Sequence, residues 1–347
     1  MSKFIEETFQ QQKQPEERKE KLLEIFRGSV LTAEELVKKD IPKRPKILGD
    51  WLCEADLGYI FAPRGRGKTW MAHLVADVIA RGNGAELGMW KAAGDPRTVL
   101  YIDGEMNLDS TKDREVALGC DRQGRLRFLH HDEIFLKSGQ SLNLAEGDTQ
   151  KAITELAVEI GAKVLILDNL SSLFYGVKEN ENDDWEKILP WILDLRRRGI
   201  SIIIVHHAGK DESRMRGMSR REDPAHWVIR LDNAVHGEPE DGARFLVTFT
   251  KIRNCPHKDA GSVEFYIQKD AANPNRVILS WAKVDSMAVF RACLETLEEA
   301  SNREIHDATG LSPGWISKLA KKAILEGWCK KEDRRYLYVE PKKNEPF

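Results

Sequence analysis

From residue 47 to residue 231, short continuous apolar runs alternate with longer segments that mix apolar and polar residues. The apolar runs predict strands at residues 58–62, 98–103, 125–129, 163–168 and 200–206. The mixed segments predict helices at residues 68–81, 108–119, 148–161 and 183–198. A strand that is covered on both faces of a parallel sheet is apolar throughout, so its residues do not alternate with polar ones. The pattern therefore predicts an α/β fold with a doubly wound, mostly parallel sheet.

The first 45 residues do not follow this pattern, because they are polar and rich in charge. Residues 15–26 predict a helix with apolar side chains on one side. The segment Thr32-Ala33-Glu34-Glu35 is a capping-box pattern that opens a second, short helix, which Pro42 and Pro45 then end. We expect residues 1–45 to form a helical arm that is exposed or docks on another subunit.

The pattern changes again after residue 231. Apolar runs at 245–251, 262–268 and 277–282, joined by short turns, predict antiparallel strands that extend the sheet at its edge. Residues 286–347 predict two or three helices and a short strand at 335–339. The chain thus divides into an arm (1–45), an α/β domain (46–284) and a carboxy-terminal domain (285–347).

Composition narrows the class of protein. The 347 residues are 41% apolar and 32% charged, which is ordinary for a globular protein, and the net charge of −2 excludes a globally basic coat for nucleic acid. The five cysteines form no CxxC pair, so we expect neither a zinc site nor a disulfide framework. Reduced cysteines are typical of the cytoplasm, so we expect a cytoplasmic location. The amino terminus lacks a signal-peptide core, and no apolar run approaches the roughly 18 residues that span a membrane.

The strongest chemical signal is a glycine-rich loop between the first predicted strand and the first predicted helix. It reads Ala62-Pro63-Arg64-Gly65-Arg66-Gly67-Lys68-Thr69-Trp70. Backbone N–H groups of such a loop wrap a β-phosphate, and the helix that follows adds the positive end of its dipole. We expect residues 63–70 to bind ATP, with Lys68 on the β- and γ-phosphates and Thr69 on Mg²⁺. Ala62 stands where the usual pattern has its first glycine.

Two acidic positions complete the predicted phosphate chemistry. Asp168 ends an apolar strand, as the Walker B carboxylate that organises Mg²⁺ does, although a buried strand can also end in a capping Asp. Hydrolysis also needs a carboxylate beyond the γ-phosphate to orient water. Because Asn169 follows Asp168, we assign this role to Glu105, with Asp103 as its competitor and a solvated acidic turn as the alternative.

Two histidines, His206 and His207, end the strand predicted at 200–206. A polar group at the end of a strand beside Walker B is placed to sense the γ-phosphate, and we assign this role to His207. Core histidines with satisfied hydrogen bonds are the alternative.

Residues 45–255 resemble the RecA-like hexameric helicase superfamily, the DnaB and RepA group, with plasmid RepA-type ATPases the most similar. The resemblance is carried by the phosphate loop, Glu105, Asp168, the stretch at 206–210, Arg216-Gly217-Met218-Ser219 and Thr250-Lys251-Ile252-Arg253-Asn254. It implies a RecA-like core, a hexameric ring of identical subunits, and two catalytic cations, Lys251 and Arg253, that reach the neighbour's γ-phosphate. A cation supplied in this way makes hydrolysis depend on assembly. A surface ion pair is the alternative for Arg253.

Two regions are candidates for DNA contact. The segment 208–224 is long and rich in arginine, and the resemblance places it in the central channel on single-stranded DNA; a solvated lid is the alternative. Residues 285–347 resemble a winged helix, with a recognition helix at 313–327 and a wing at 328–339. Its basic residues, expected to contact double-stranded DNA, are Lys318, Lys321, Lys322, Arg334 and Arg335. Winged helices also serve as protein-docking modules.

The sequence as a whole predicts an ATP- and Mg²⁺-dependent DNA motor, a replicative-type helicase of a plasmid, phage or mobile element. The first rival is a DNA-binding ATPase that does not unwind, such as a helicase loader, a recombination mediator or a mobile-element regulator. The second is an ATP-gated regulatory module with little turnover.

Overall fold

The apolar runs of the sequence meet in a nine-stranded sheet. The computed structural model describes residues 17–119, 122–174, 182–209, 215, 221–234, 242–309, 311 and 313–340. In chain order, the strands are β1 Lys46–Leu48, β2 Leu52–Cys53, β3 Leu57–Ala62, β4 Glu86–Leu87, β5 Trp90–Lys91, β6 Thr98–Asp103, β7 Leu126–His130, β8 Ala162–Asp168, β9 Ser201–His207, β10 Trp227–Asp232, β11 Ala243–Ile252, β12 Val263–Lys269, β13 Val277–Lys283, β14 Glu299–Ser301, β15 Cys329–Glu332 and β16 Arg335–Tyr338.

The sheet order is β13-β12-β11-β10-β3-β9-β8-β6-β7. The six strands from β10 to β7 run parallel, and β11, β12 and β13 are antiparallel. The predicted α/β fold with a mostly parallel sheet is therefore confirmed, as are the three antiparallel strands at one side. Two further pairs, β1 with β2 and β4 with β5, were not predicted, because each strand has only two or three residues.

Strand β10 was also missed, although it lies between β3 and β11 near the middle of the sheet. Its sequence carries Arg230, which is 4% exposed, and ends in Asp232. The guanidinium donates to the Asp232 carboxylate at 2.9 Å, and the Thr248 hydroxyl donates to the same oxygen at 3.1 Å. The two charges neutralise each other inside the sheet, whereas in the sequence they interrupt the apolar run.

Helices cover both faces of the sheet. The described helices are residues 17–29, Ala33–Lys38, Lys68–Arg81, Leu108–Leu118, His131–Ser138, Gly147–Glu159, Leu170–Leu173, Asn182–Arg197, His257–Ala260, Ser286–Leu297, Asn302–Thr309 and Pro313–Leu325. The four helices predicted for the α/β region are present. One apolar core forms where helix Lys68–Arg81 packs on the sheet, and a second forms on the opposite face under Gly147–Glu159 and Asn182–Arg197.

The chain divides into two compact units, Met1–Lys43 and Arg44–Phe347. In the first unit, the expected capping box is present: Thr32 Oγ1 accepts from the Glu35 N–H, and the Glu35 carboxylate accepts from the Thr32 N–H. Every described residue of this unit is exposed, including the apolar Leu22, Ile25 and Phe26.

The carboxy-terminal part of the second unit contains three helices and a terminal hairpin, as the sequence predicts, and also the short strand β14, which was not predicted. Three helices, beginning at Ser286, Asn302 and Pro313, surround a core that includes Phe290, and a three-stranded sheet β14-β16-β15 completes it. Leu246 of strand β11 joins this core, so the part packs directly on the large sheet. Within the described ranges, none of the helices combines the length and apolar character that crossing a bilayer requires.

Candidate nucleotide-binding site

The glycine-rich loop lies where the sequence predicts it, between the end of β3 at Ala62 and the helix that begins at Lys68. Gly65 and Gly67 have φ angles of 76° and 78°, in the region that glycine adopts without strain. Gly67 is also a point of close approach, because a Cβ added there would lie 2.5 Å from the Phe245 ring. The loop opens onto the amino-terminal end of a 14-residue helix, which favours an anion.

Lys68 lies inside this loop, with 7% of its surface exposed. Its Nζ donates to the Pro63 carbonyl at 2.8 Å. Burial lowers the pKa of Lys68, and the nearby carboxylates of Asp168 and Glu105 act in the opposite direction. The ammonium is thus held among loop carbonyls and carboxylates, where a bound phosphate would take over its hydrogen bond.

Asp168, at the end of β8, is buried with one oxygen engaged and one free. The Tyr101 hydroxyl donates to Oδ2 at 2.6 Å, whereas the buried Oδ1 accepts no hydrogen bond from the described residues. Burial raises the pKa of Asp168 to about 6, although the Tyr101 hydrogen bond lowers it, and the Thr69 hydroxyl also lowers it. A carboxylate oxygen without a partner and a nearby hydroxyl are hard oxygen ligands, so the predicted pair Thr69 and Asp168 fits Mg²⁺.

Three strand ends bring Glu105, Asn169 and His207 together. Asn169 Nδ2 donates to the Glu105 carboxylate and lies 3.3 Å from His207 Nε2. These residues follow or end β6, β8 and β9, which are neighbours in the sheet. Asn169 is 1% exposed, so its amide is fixed between the other two side chains. In the sequence, Asn169 stands only as the residue in place of an expected acid, and its position between Glu105 and His207 was not predicted.

Asp103, the competitor of Glu105, has its carboxylate oxygens in use. Oδ1 accepts from the N–H groups of Glu105 and Met106 at 3.1 and 3.0 Å, and Oδ2 accepts from the Thr111 hydroxyl at 2.9 Å. The side chain is fully buried and holds the turn that presents Glu105. Glu105 itself is exposed, as a residue that meets substrate must be.

The consecutive histidines point to opposite faces of the sheet, as neighbours on a strand do. His207 faces Asn169, whereas His206 is fully buried and its Nε2 lies 3.2 Å from Arg221 Nη1. Arg221 is itself 4% exposed, and its guanidinium lies 5.8 Å from the Trp185 ring centroid. The two interpretations of the histidine pair therefore apply to different residues. His206 is a core residue with a partner, and His207 belongs to the candidate site.

Lys251 and Arg253 are not brought to this site. Strand β11 runs antiparallel to β10, and Ile252 pairs with Trp227, which pairs in turn with Gly58 near the start of β3. The phosphate loop follows the other end of β3. Lys251 Nζ donates to the carbonyls of residues 222 and 223, and Arg253 donates to that of residue 223 at 2.9 Å. Both cations thus lie at the end of the sheet opposite their own phosphate loop.

A buried carboxylate, which the sequence analysis missed, anchors the segment that carries these cations. Asn254 Nδ2 donates to Asp56 Oδ2 at 2.6 Å and to the Trp51 carbonyl at 2.7 Å. Asp56 is fully buried and also accepts from Arg44 and from the Cys53 N–H. An Asp immediately before a buried strand, with a polar residue two positions after Ile252, was the available signal.

The remaining predicted residues lie in three places: beside the phosphate loop, in the carboxy-terminal part and in the segment 208–224. The side chain of Trp70 lies against the Arg114 guanidinium, with 5.4 Å between the ring centroid and Cζ. In the carboxy-terminal part, Lys318 is exposed, whereas Arg335 forms ion pairs with Glu299 and Glu304 at 3.2 and 3.0 Å. The remaining basic side chains predicted there are exposed: Lys321, Lys322 and Arg334. Of the basic residues predicted to contact DNA in segment 208–224, Arg221 is buried beside His206, so that prediction is wrong for this residue. The others lie outside the described residues: Lys210, Arg214, Arg216 and Arg220.

Comparison with known proteins gives one family match. A family model described as AAA domain matches residues 18–213, more than half of the chain. No curated protein matches the chain. Among solved structures, a KaiC-like protein from the hyperthermophilic archaeon Pyrococcus horikoshii OT3 is similar at 19% sequence identity with a TM-score of 0.46, over 66% of this chain and 90% of that one.

Proposed function

We propose, for a chain that belongs to the AAA domain family, an ATP-driven motor that acts on DNA as a ring of identical subunits. Family membership and the loop at residues 62–69 make its core a P-loop ATPase domain. The observation that carries the motor proposal is the separation described above. Lys68, Asp168 and Glu105 converge at one end of the sheet, and Lys251 and Arg253 lie at the other.

The first side of the proposed site consists of the phosphate loop, which binds the nucleotide, and the strand ends, which bind Mg²⁺ and the attacking water. The loop N–H groups and Lys68 hold the β- and γ-phosphates, and Thr69 with Asp168 holds Mg²⁺, which would offset charge on the phosphate oxygens. Glu105 accepts a proton from the attacking water and orients it. Asn169 fixes the Glu105 carboxylate and joins it to His207, so that His207 responds to the γ-phosphate.

The second side comes from a neighbouring subunit. Within one chain, Lys251 and Arg253 lie at the far end of β11 from the phosphate loop, so they contact nucleotide only across an interface. A head-to-tail interface that repeats in this way gives a ring when its rotation closes and an open filament when it does not, and the proposal here is the ring. The Arg253 guanidinium would stabilise charge that develops on the transferred phosphoryl group. The resemblance to DnaB and RepA proteins supports a hexamer.

The finer proposal is a replicative-type DNA helicase of a plasmid, phage or mobile element. Single-stranded DNA would contact the 208–224 segment, and residues 285–347 would act as a winged helix on double-stranded DNA. The exposed Lys318 and Lys321 of the helix Pro313–Leu325 support this second contact. Strand displacement on a forked substrate separates this proposal from a DNA-binding ATPase that does not unwind.

Mixing two inactive variants tests the shared site. Lys68→Ala removes the first side, Arg253→Ala removes the second, and each alone is expected to abolish hydrolysis. In a random equimolar mixture, about a quarter of head-to-tail interfaces join an intact Lys68 to an intact Arg253. Hydrolysis is therefore expected to recover to about that fraction of the unaltered protein, as followed by phosphate release.

The control mixes Lys68→Ala with Glu105→Gln, two changes on the same side of the site. No interface of that mixture is complete, so no recovery is expected. Equal recovery in both mixtures, or none in the first while subunits that carry two different affinity tags co-purify as mixed rings, would refute a site shared between subunits.

A further inference from the structure

A cleft opens at one place between the large sheet and the carboxy-terminal helices, and of its lining residues only Lys322 has been given a role above, as a candidate contact to double-stranded DNA. Its volume is about 570 Å³, within the range of sites that hold small molecules. It lies between the region around His257 on one side and the helices that begin at Ser286 and Pro313 on the other. Its lining includes Phe249, His257, Lys283, Ser286, Trp315 and Lys322.

The charge of this cleft is positive. Lys283 and Lys322 are exposed lining residues, and Lys322 forms an exposed ion pair with Glu326 at 3.7 Å, a contact of little energy. Asp285 is the single acid among the described lining residues, and its carboxylate caps a helix by accepting from the N–H groups of residues 287 and 288. The negative charge of Asp285 is thus partly neutralised by the helix N–H groups. The two lysines therefore make the cleft attractive to an anion.

The cleft also presents an aromatic surface. Trp315 is half-buried, with Lys318 Nζ 5.8 Å from its ring centroid, so a cation and a ring lie side by side. Aromatic rings beside backbone-tracking cations are the combination that binds single-stranded nucleic acid, since every base has a face that stacks.

A third feature is an unsatisfied hydroxyl. Ser286 is 7% exposed, and its buried Oγ has no hydrogen-bond partner among the described residues. A buried hydroxyl without a partner is costly, so such a group in the wall of a cleft indicates a ligand that supplies the missing hydrogen bond.

We propose that this cleft binds one nucleotide unit of single-stranded DNA, with the base on Trp315 and the phosphate between Lys283 and Lys322. Ser286 donates a hydrogen bond to the same unit. The proposal rests on the DNA-acting function above and adds a contact separate from the 208–224 segment. A strand is favoured over a free mononucleotide because Lys318 and Lys321, exposed on the same helix as Trp315, continue the positive charge beyond the cleft.

The test uses the full chain with Mg²⁺ and a non-hydrolysable ATP analogue. Binding of a fluorescent oligo-dT of about 16 nucleotides is followed by anisotropy at several salt concentrations. Trp315→Leu keeps an apolar side chain but removes the ring, and is expected to weaken binding about 5- to 150-fold. Trp315→Phe keeps a ring and is expected to retain most of the affinity.

The exposed lysines supply a second pair of variants that do not threaten folding. Lys283→Ala with Lys322→Ala is expected to lower the salt slope of binding by about 1.4, since each contact to a single strand contributes about 0.7. The control is Lys137→Ala with Lys151→Ala. It removes two exposed charges from residues that do not line the cleft, and it is expected to leave the salt slope of binding unchanged.

The outcomes are distinguishable. If the unaltered chain binds no oligo-dT, the proposed DNA function fails. If it binds, but Trp315→Leu and the Lys283/Lys322 variant bind with unchanged affinity and slope, the cleft proposal alone is overturned. It is also overturned if thymidine monophosphate competes as well as the oligonucleotide does, since the cleft would then be a mononucleotide site.

Discussion

Gly67→Ala and Gly65→Ala are a matched pair in the phosphate loop that separates backbone strain from crowding. Both residues have positive φ angles, 78° and 76°, so an alanine at either position enters the left-handed region. That costs about 1–2 kcal/mol in each case. Around Gly65, no heavy atom of the described neighbours lies within 4 Å of an added Cβ, so strain is the whole expected cost.

At Gly67 the added Cβ also meets Phe245. It would lie 2.5 and 2.7 Å from two atoms of the ring, which is fully buried in the core that helix Lys68–Arg81 covers. Because a packed ring cannot move aside freely, overpacking adds about 1–3 kcal/mol. We therefore expect Gly67→Ala to lower the free energy of unfolding by about 2–5 kcal/mol, and Gly65→Ala by about 1–2 kcal/mol.

Urea unfolding without nucleotide measures both changes, since a shift of the midpoint at constant slope reports stability. Phe245→Leu provides the cross-check, because a smaller side chain relieves the crowding. The double variant Gly67→Ala/Phe245→Leu is expected to lose about 0.5–3 kcal/mol less than the sum of the two single changes. Equal losses for the two glycine variants, together with strict additivity in this cycle, would refute the crowding argument.

Three further changes test the site. Glu105→Gln is expected to keep binding of a fluorescent ATP analogue and to slow phosphate release by about 10²–10⁴-fold; fast hydrolysis by this variant would assign the water-orienting role elsewhere. Tyr101→Phe removes the hydrogen bond to Asp168 Oδ2, and the Mg²⁺ concentration for half-maximal nucleotide binding is expected to rise about tenfold; an unchanged Mg²⁺ dependence would contradict it. Asn254→Ala leaves the buried Asp56 with one partner fewer and is expected to cost about 1–3 kcal/mol in urea unfolding, and a neutral result would show that Arg44 and the Cys53 N–H suffice.

Much of the core could be predicted because its signals are local. A covered parallel strand is apolar along its whole length, and the phosphate loop spans only a few consecutive residues. The same holds for Asp168 and Glu105, each of which directly follows or ends such a strand. These features need no knowledge of which segments meet in space.

What was missed depends on pairs that are distant or compensating. Arg230 and Asp232 satisfy each other within β10, yet in the sequence they read as an interruption. Asn254 and Asp56 each lie beside an apolar strand, but they are 198 positions apart, so nothing in the sequence pairs one with the other. In the sequence, Asn169 occupies a position where an acid is expected. Only the order of the strands shows that its side chain lies between Glu105 and His207.

The adjacency of His206 and His207 has a mechanical consequence. One peptide unit joins a side chain that contacts Asn169 to a side chain that contacts Arg221 on the other face of the sheet. Any sliding or rotation of the tip of β9 that frees one contact must displace the other. If His207 responds to the γ-phosphate as proposed, a change at the nucleotide site is therefore transmitted through one peptide unit to Arg221 on the opposite face of the sheet.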